Sequence, residues 1–152
     1  LLVDENFFKV ITNHGYLWGF ISGAEKPSAK FVLEKRLNLV NPPLIAMGEA
    51  PEKPDPSGLI NLAERIIGNK LNNMMKIAYV GDTISDIMTI QNARRKIPFQ
   101  EFISIGVSPP HLHKKDHKVE RKRYESKLAG AGADIIIPNT NKLNEYLESI
   151  FD

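Results

Sequence analysis

Two carboxylates four residues apart, Asp82 and Asp86, stand where a short apolar run meets a segment with helical spacing. The stretch reads Lys76-Ile77-Ala78-Tyr79-Val80-Gly81-Asp82-Thr83-Ile84-Ser85-Asp86. Ile77 to Val80 has the pattern of a buried strand, and Ile84, Ile87, Met88 and Ile90 repeat at helical intervals. That puts Asp82 at the carboxyl end of a strand and Asp86 on the first turn of the next helix. The two can then converge beyond a sheet edge, where open α/β sheets bind ligands. Oxygen ligands of this kind suit magnesium, which keeps several waters and leaves room for a phosphate. The same residues also suit a plainer role, with Asp82 and Thr83 capping the helix and Asp86 complementing its dipole.

Two further segments offer related chemistry. In Phe20-Ile21-Ser22-Gly23-Ala24 a hydroxyl and small residues follow an apolar run. Ser22 can donate to a phosphate oxygen, and the N–H groups of Gly23 and Ala24 can add to an anion cradle; an N-cap and turn would use the same residues. In Glu49-Ala50-Pro51-Glu52-Lys53-Pro54-Asp55-Pro56, Lys53 lies in a run rich in proline. A rigidly held ammonium can neutralise a phosphoryl group beside an acidic nucleophile, or it can be a solvated surface lysine.

The elements that must position these residues alternate along the chain. Helices are expected over Asp4–His14, Pro27–Leu39 (Phe31, Val32, Leu33 and Leu37 inward), Pro56–Ile67, Thr83–Arg95, Val119–Ala131 and Lys142–Phe151. Strands are expected over Leu17–Ile21, with Trp18 in the core, and over Pro43–Met47, Ile77–Val80, Phe102–Val107 and Asp134–Ile137. Near-continuous apolar strands alternating with helices imply an α/β fold: a Rossmann-like parallel sheet with helices on both faces. The 152 residues suit one domain.

Composition narrows the function. A net charge of +2 gives no field for steering nucleic acid, and the basic run Lys114–Lys127 has only Tyr124 as an aromatic for base stacking. No nucleic-acid partner is expected. No apolar run reaches the roughly 18 residues needed to span a bilayer, so no membrane partner is expected either. The absence of cysteine fits a reducing, cytoplasmic setting. His111, His113 and His117 cluster in a long lysine-rich loop, Ser108–Lys118, whose cationic neighbours disfavour a metal; contact with an entering substrate suits them better.

Serine at a strand end, then Lys-Pro-x-Pro, then Gly-Asp-x-x-x-Asp, in that order, resembles the second, third and fourth motifs of the haloacid dehalogenase (HAD) superfamily of phosphohydrolases. The Ile21–Ala24 segment and the Pro27 helix resemble a cyanobacterial subgroup of it. The resemblance implies that Ser22 binds the phosphoryl oxygen, with Gly23 and Ala24 beside it. It implies that Lys53 steadies the nucleophile and the transferring group, and that Asp82 and Asp86 hold Mg2+, Asp86 directly or through water. The implied substrate is a small phosphorylated metabolite, and the oligomeric state stays open.

The family's first motif, a strand ending in Asp-x-Asp that supplies the nucleophile, is not in the sequence. Leu1-Leu2-Val3-Asp4-Glu5-Asn6 imitates it, but Asn6 cannot transfer a proton and Asp4 suits a helix N-cap. The resemblance therefore implies a core lacking its first central strand and its cap, with a gap in the sheet, and a nucleophile expected upstream of Leu1 in a longer protein. A non-catalytic phosphate- or partner-binding module on the same scaffold is the alternative. A receiver-type signalling domain would need an acidic pair after an early strand, which Asp4-Glu5 does not provide.

Overall fold

The computed structural model describes residues 3–151; the Leu1-Leu2 part of the apolar lead-in lies outside them. Six helices and five strands alternate along these residues. Helix α1 (Glu5–Asn13) opens on Asp4, whose Oδ1 accepts from the Phe7 amide at 3.0 Å, so Asp4 is a cap as its neighbours suggested. Strand β1 is Phe20–Ile21 and strand β2 is Leu44–Ile45, both shorter than the apolar runs that contain them. They pair in parallel with each other.

Between them, α2 (Lys26–Lys30) runs into a π-helical turn over Phe31–Arg36. The wider turn rotates the expected apolar face. Leu33 and Leu37 are buried, but Phe31, expected inside, is exposed. The segment stops where Asn38 takes a left-handed conformation (φ 53°) and the Leu39 amide reaches back to the Leu33 carbonyl at 3.0 Å.

Helix α3 (Ser57–Ile67) ends at Gly68, whose φ of 78° is open to glycine at no steric cost. Strand β3 (Ile77–Gly81), helix α4 (Ile84–Lys96) and strand β4 (Phe102–Val107) follow. The long loop expected after β4 is instead two short 3-10 turns, Pro110–His113 and Lys115–His117, leading into α5 (Lys118–Ala131). His113 Nε2 lies 2.8 Å from the Ser108 carbonyl oxygen and Leu112 is buried, so this segment is tied to the body. Strand β5 (Ile135–Ile137) and helix α6 (Leu143–Phe151) complete the order.

All strand pairs are parallel, but the strands form two sheets, β1-β2 and β3-β4-β5. The expected division of the sheet falls between β1 and β3. Helices cover the strands on both sides, as parallel sheets require. One apolar cluster gathers Phe7, Phe8, Ile11, Leu33, Leu44 and Leu147; Trp18, outside any strand, packs on its edge with its indole N–H donating to Thr12 Oγ1 at 2.8 Å. A second cluster joins α3 and α4 through Leu59, Ile60 and Ile90, and a third joins Ile105, Val107, Ile137 and Ile150. Among the described residues no helix is long and apolar enough to cross a membrane.

Candidate functional site

The carboxyl end of β3 and the start of α4 form a tightly bonded corner. Thr83 is the N-cap: its Oγ1 accepts from the Asp86 amide at 3.1 Å, and Asp86 Oδ2 accepts from the Thr83 amide at 3.1 Å, a reciprocal capping box. The same Oδ2 also accepts from the Asp82 amide at 3.1 Å and from Thr83 Oγ1 at 2.9 Å. A Cβ built on Gly81 would lie 2.2 Å from Asp86 Cβ, so this close turn needs a residue without a side chain.

The remaining oxygen, Asp86 Oδ1, faces Lys53. Lys53 Nζ donates to it at 2.6 Å and to the Tyr79 hydroxyl at 3.3 Å, and that hydroxyl donates to Oδ1 at 3.0 Å. Asp86 therefore uses both oxygens within the protein, and its side chain is 5% exposed. Burial works to raise its carboxyl, but the hydrogen bond and charge of Lys53, with the bonds from Thr83 and Tyr79, outweigh it and hold the group below its ordinary range. Burial, then the charge of Asp86, pushes the Tyr79 phenol well above its ordinary value, so it stays a neutral donor.

Asp82 is in the opposite position. Its backbone carbonyl accepts from the Tyr124 hydroxyl at 2.5 Å, while its half-buried carboxylate has no hydrogen-bond partner among the described side chains. Burial, then the charge of Asp86, raises its pKa, opposed by its own backbone and by Lys53 and His111. An under-compensated carboxylate beside a saturated one fits a hydrated divalent cation held directly by Asp82, with Asp86 reaching it only through water or after releasing a present partner. Among the described residues no group of three or more His, Cys, Asp and Glu side chains is placed to hold a metal, the His111–His117 cluster included.

Lys53, Asp82 and Asp86 line one cavity of about 600 Å³, which Ser108 and Pro110 also border. Lys53 also lines a neighbouring cavity of about 370 Å³ with Ser22, Gly23, Thr83 and Ser85. The three motifs thus border two neighbouring cavities past the carboxyl ends of β1 and β3, with Lys53 common to both. Ser22 Oγ accepts from the Ala24 amide at 3.1 Å and keeps its own proton to donate. Because that amide is occupied, Ala24 offers no free N–H to an anion; Gly23 faces the cavity alone.

Tyr79 and Tyr124 are the site residues that sequence reasoning passed over. Tyr79 looked like one more member of an apolar strand. Its signal was chemical: a buried phenol needs a polar partner, and Asp82 and Asp86 were the nearest acids in sequence.

Comparison with known proteins bears on the fold. A phosphonoacetaldehyde hydrolase like protein from Oleispira antarctica superposes with a TM-score of 0.69 at 16% identity, over 96% of this chain and 55% of that one. A target of the Northeast Structural Genomics Consortium superposes with a TM-score of 0.62 at 17% identity, over 97% of this chain and 43% of that one. The chain thus spans about half the length of either structure. No family model matches the chain, and no curated protein does. What the likeness establishes is the architecture: parallel strands flanked by helices in a Rossmann-type core.

Proposed function

We propose that this chain is the core of a magnesium-dependent phosphohydrolase acting on a small phosphorylated metabolite through an aspartyl-phosphate. One observation carries the reading. Lys53, from the loop after β2, reaches Asp86 on the first turn of α4 at 2.6 Å, beside an Asp82 carboxylate with no hydrogen-bond partner among the described side chains. The fixed ammonium borders both the cavity lined by Asp82, an acid suited to a hydrated cation, and the adjoining one lined by Ser22, which supports a phosphoryl site between them.

In this reading Ser22 and the Gly23 N–H bind a phosphoryl oxygen, and Lys53 neutralises the developing charge. Tyr79 and Asp86 hold Lys53 in place. Asp82 would hold the magnesium, which when bound neutralises phosphate charge. The nucleophilic carboxylate comes from a segment outside these 152 residues. It attacks phosphorus as the ester oxygen leaves, and water then cleaves the acyl phosphate. The name of the Oleispira neighbour contains a phosphonate, so substrate panels should include phosphonates beside phosphate esters.

In the complete protein, Asp82→Asn is expected to reduce magnesium-dependent phosphate release at least a hundredfold; unchanged release would refute the reading. A binding module without turnover is the second reading, favoured by the saturation of Asp86. Such a module would bind phosphate or magnesium in calorimetry while releasing no product.

A further inference from the structure

We infer that the corner made by Arg121 and Lys118, near the amino end of α5, binds a second anionic group of the substrate, a carboxylate or a further phosphate remote from the phosphoryl group that is transferred. This subsite deepens the proposed function and rests on it only for the place of that phosphoryl group beside Lys53.

The direction of α5 carries the argument. β4 and β5 are parallel, so the helix that joins them runs back against both, with its amino end past their carboxyl ends. Two contacts fix its height. Leu128 packs on Gly106, where an added Cβ would lie 3.3 Å from Leu128 Cβ, and the Tyr124 hydroxyl meets the Asp82 carbonyl. β4 ends one residue beyond Gly106, about 3 Å. From Leu128 back to Arg121 and Lys118, α5 extends about 10 and 15 Å at its usual rise. Its first two turns therefore overhang the sheet end at which Asp82 lies.

The facing of Arg121 is set as well. Arg121, Tyr124 and Leu128 are spaced at i, i+3 and i+7, so Arg121 shares the side of the helix that meets the body. Its Nε lies 3.8 Å from Glu125 Oε1, and that oxygen accepts from Ser108 Oγ at 3.0 Å. Ser108 in turn borders the cavity of about 600 Å³ with Lys53 and Asp82. In the turn between Ser108 and α5 the Leu112 amide donates to the Pro109 carbonyl at 3.0 Å, and His111 is close enough for its charge to act on the Asp82 carboxyl. One short turn thus borders both the acid and the basic end of the helix.

The charge there is unspent. Lys114 to Arg123 holds six bases against Asp116 and Glu120. Among the described residues its one ion pair is the long contact of Arg121 with Glu125, whose carboxylate Ser108 already uses. The Arg121 side chain is 32% exposed, and none of its five N–H donors is committed to a hydrogen bond among the described residues. A solvated lysine gains little from a counter-ion. A half-buried guanidinium gains more, since its planar fork meets a carboxylate or phosphate through two bonds at once. Lys118, one turn further out, adds a second cation. With Lys53 on the phosphoryl end and Arg121 on another element past Asp82, the two anions belong at opposite ends of one short molecule. A phosphorylated hydroxy acid or a bisphosphate has that form.

Calorimetry on the complete protein, with magnesium, tests this by comparing alkylphosphonates with ω-carboxyalkylphosphonates of the same length, over one to four methylene groups. At the best length the carboxylate should tighten binding about tenfold or more. Arg121→Gln should cut that advantage to about threefold or less and leave the alkylphosphonate affinity unchanged, and Arg121→Lys should restore part of it. Lys118→Gln, at an exposed residue, should lower the advantage without touching the fold. Arg123→Gln, on the opposite side of the helix from Arg121, should leave it intact. No advantage at any length overturns the inference. So does an advantage that survives the loss of both Arg121 and Lys118, or one that Arg123→Gln removes equally, which would mark a diffuse field in place of a site. An Arg121-dependent advantage in a protein that releases no phosphate from any ester leaves the subsite standing and counts against the phosphohydrolase.

Discussion

The two sheets of this molecule are built from similarly apolar sequence, yet they differ in regularity. β3 and β4 hold five and six residues, and Ile90, Ile105, Leu128 and Ile137 around them are fully buried. β1 and β2 hold two residues each, and the turn between them and their helix needs a π-helical stretch and an asparagine with positive φ. Leu17, Phe31 and Val40 lie exposed in that half. The difference follows from neighbours. β4 is paired on both sides, whereas β1 and β2 have only each other. A strand's length in a parallel sheet depends on what lies beside it as much as on its own residues.

Substitutions can break this comparison. Ile105→Ala removes a fully buried side chain from the doubly paired strand and should cost about 3–4 kcal/mol in urea unfolding. Leu44→Ala, in the two-residue strand, should cost nearer 2 kcal/mol because its surroundings can relax. Equal losses, or the reverse order, would show that the first half is packed as firmly as the second.

Lys53→Met tests the tie between the halves, since the lysine follows β2 and its partner follows β3. It should cost about 2 kcal/mol at pH 7, reduced from a fully buried pair because Lys53 is 28% exposed. Asp86 has a lowered folded pKa, so its stabilisation is complete above its ordinary value of 3.8 and is lost as pH falls through the folded value. The cost of Lys53→Met should accordingly shrink in unfolding curves taken below pH 3.8. A cost independent of pH would mean that the ion pair is not its source.

Asp82→Asn should have a smaller effect of the opposite sign. The raised Asp82 pKa means that stability falls as pH rises from 3.8 through the folded value. Without magnesium, the asparagine variant should be more stable at pH 7 by less than about 1 kcal/mol, and the gain should vanish below pH 3.8. Val40→Ser, at a residue 94% exposed, should change stability by less than about 0.5 kcal/mol.

Much of the site's framework was legible in the sequence because its signals are local. Gly81, Asp82, Thr83 and Asp86 write out a strand end and a capping box within six residues, and Gly68 marks a helix end. The outward turn of Phe31 was not legible, since a π-helical stretch changes the angle per residue without any local marker. The shortness of β1 was not legible either, because pairing depends on a distant edge. Nor was the saturation of Asp86, which needs Lys53 from 33 residues away.

Helix α6 has a consequence for the order of folding. Leu147 packs in the cluster of α1 and β2, and Ile150 packs with β4 and β5. Tyr16 near the amino end rests on Phe151, ring centres 5.0 Å apart. The residues that clasp the two halves together are therefore made by the ribosome after every strand. Chains truncated after Asn141 and released from the ribosome should show a protease-resistant β3–β5 unit beside a still-sensitive amino-terminal half, and protection of that half should arrive only when α6 is restored.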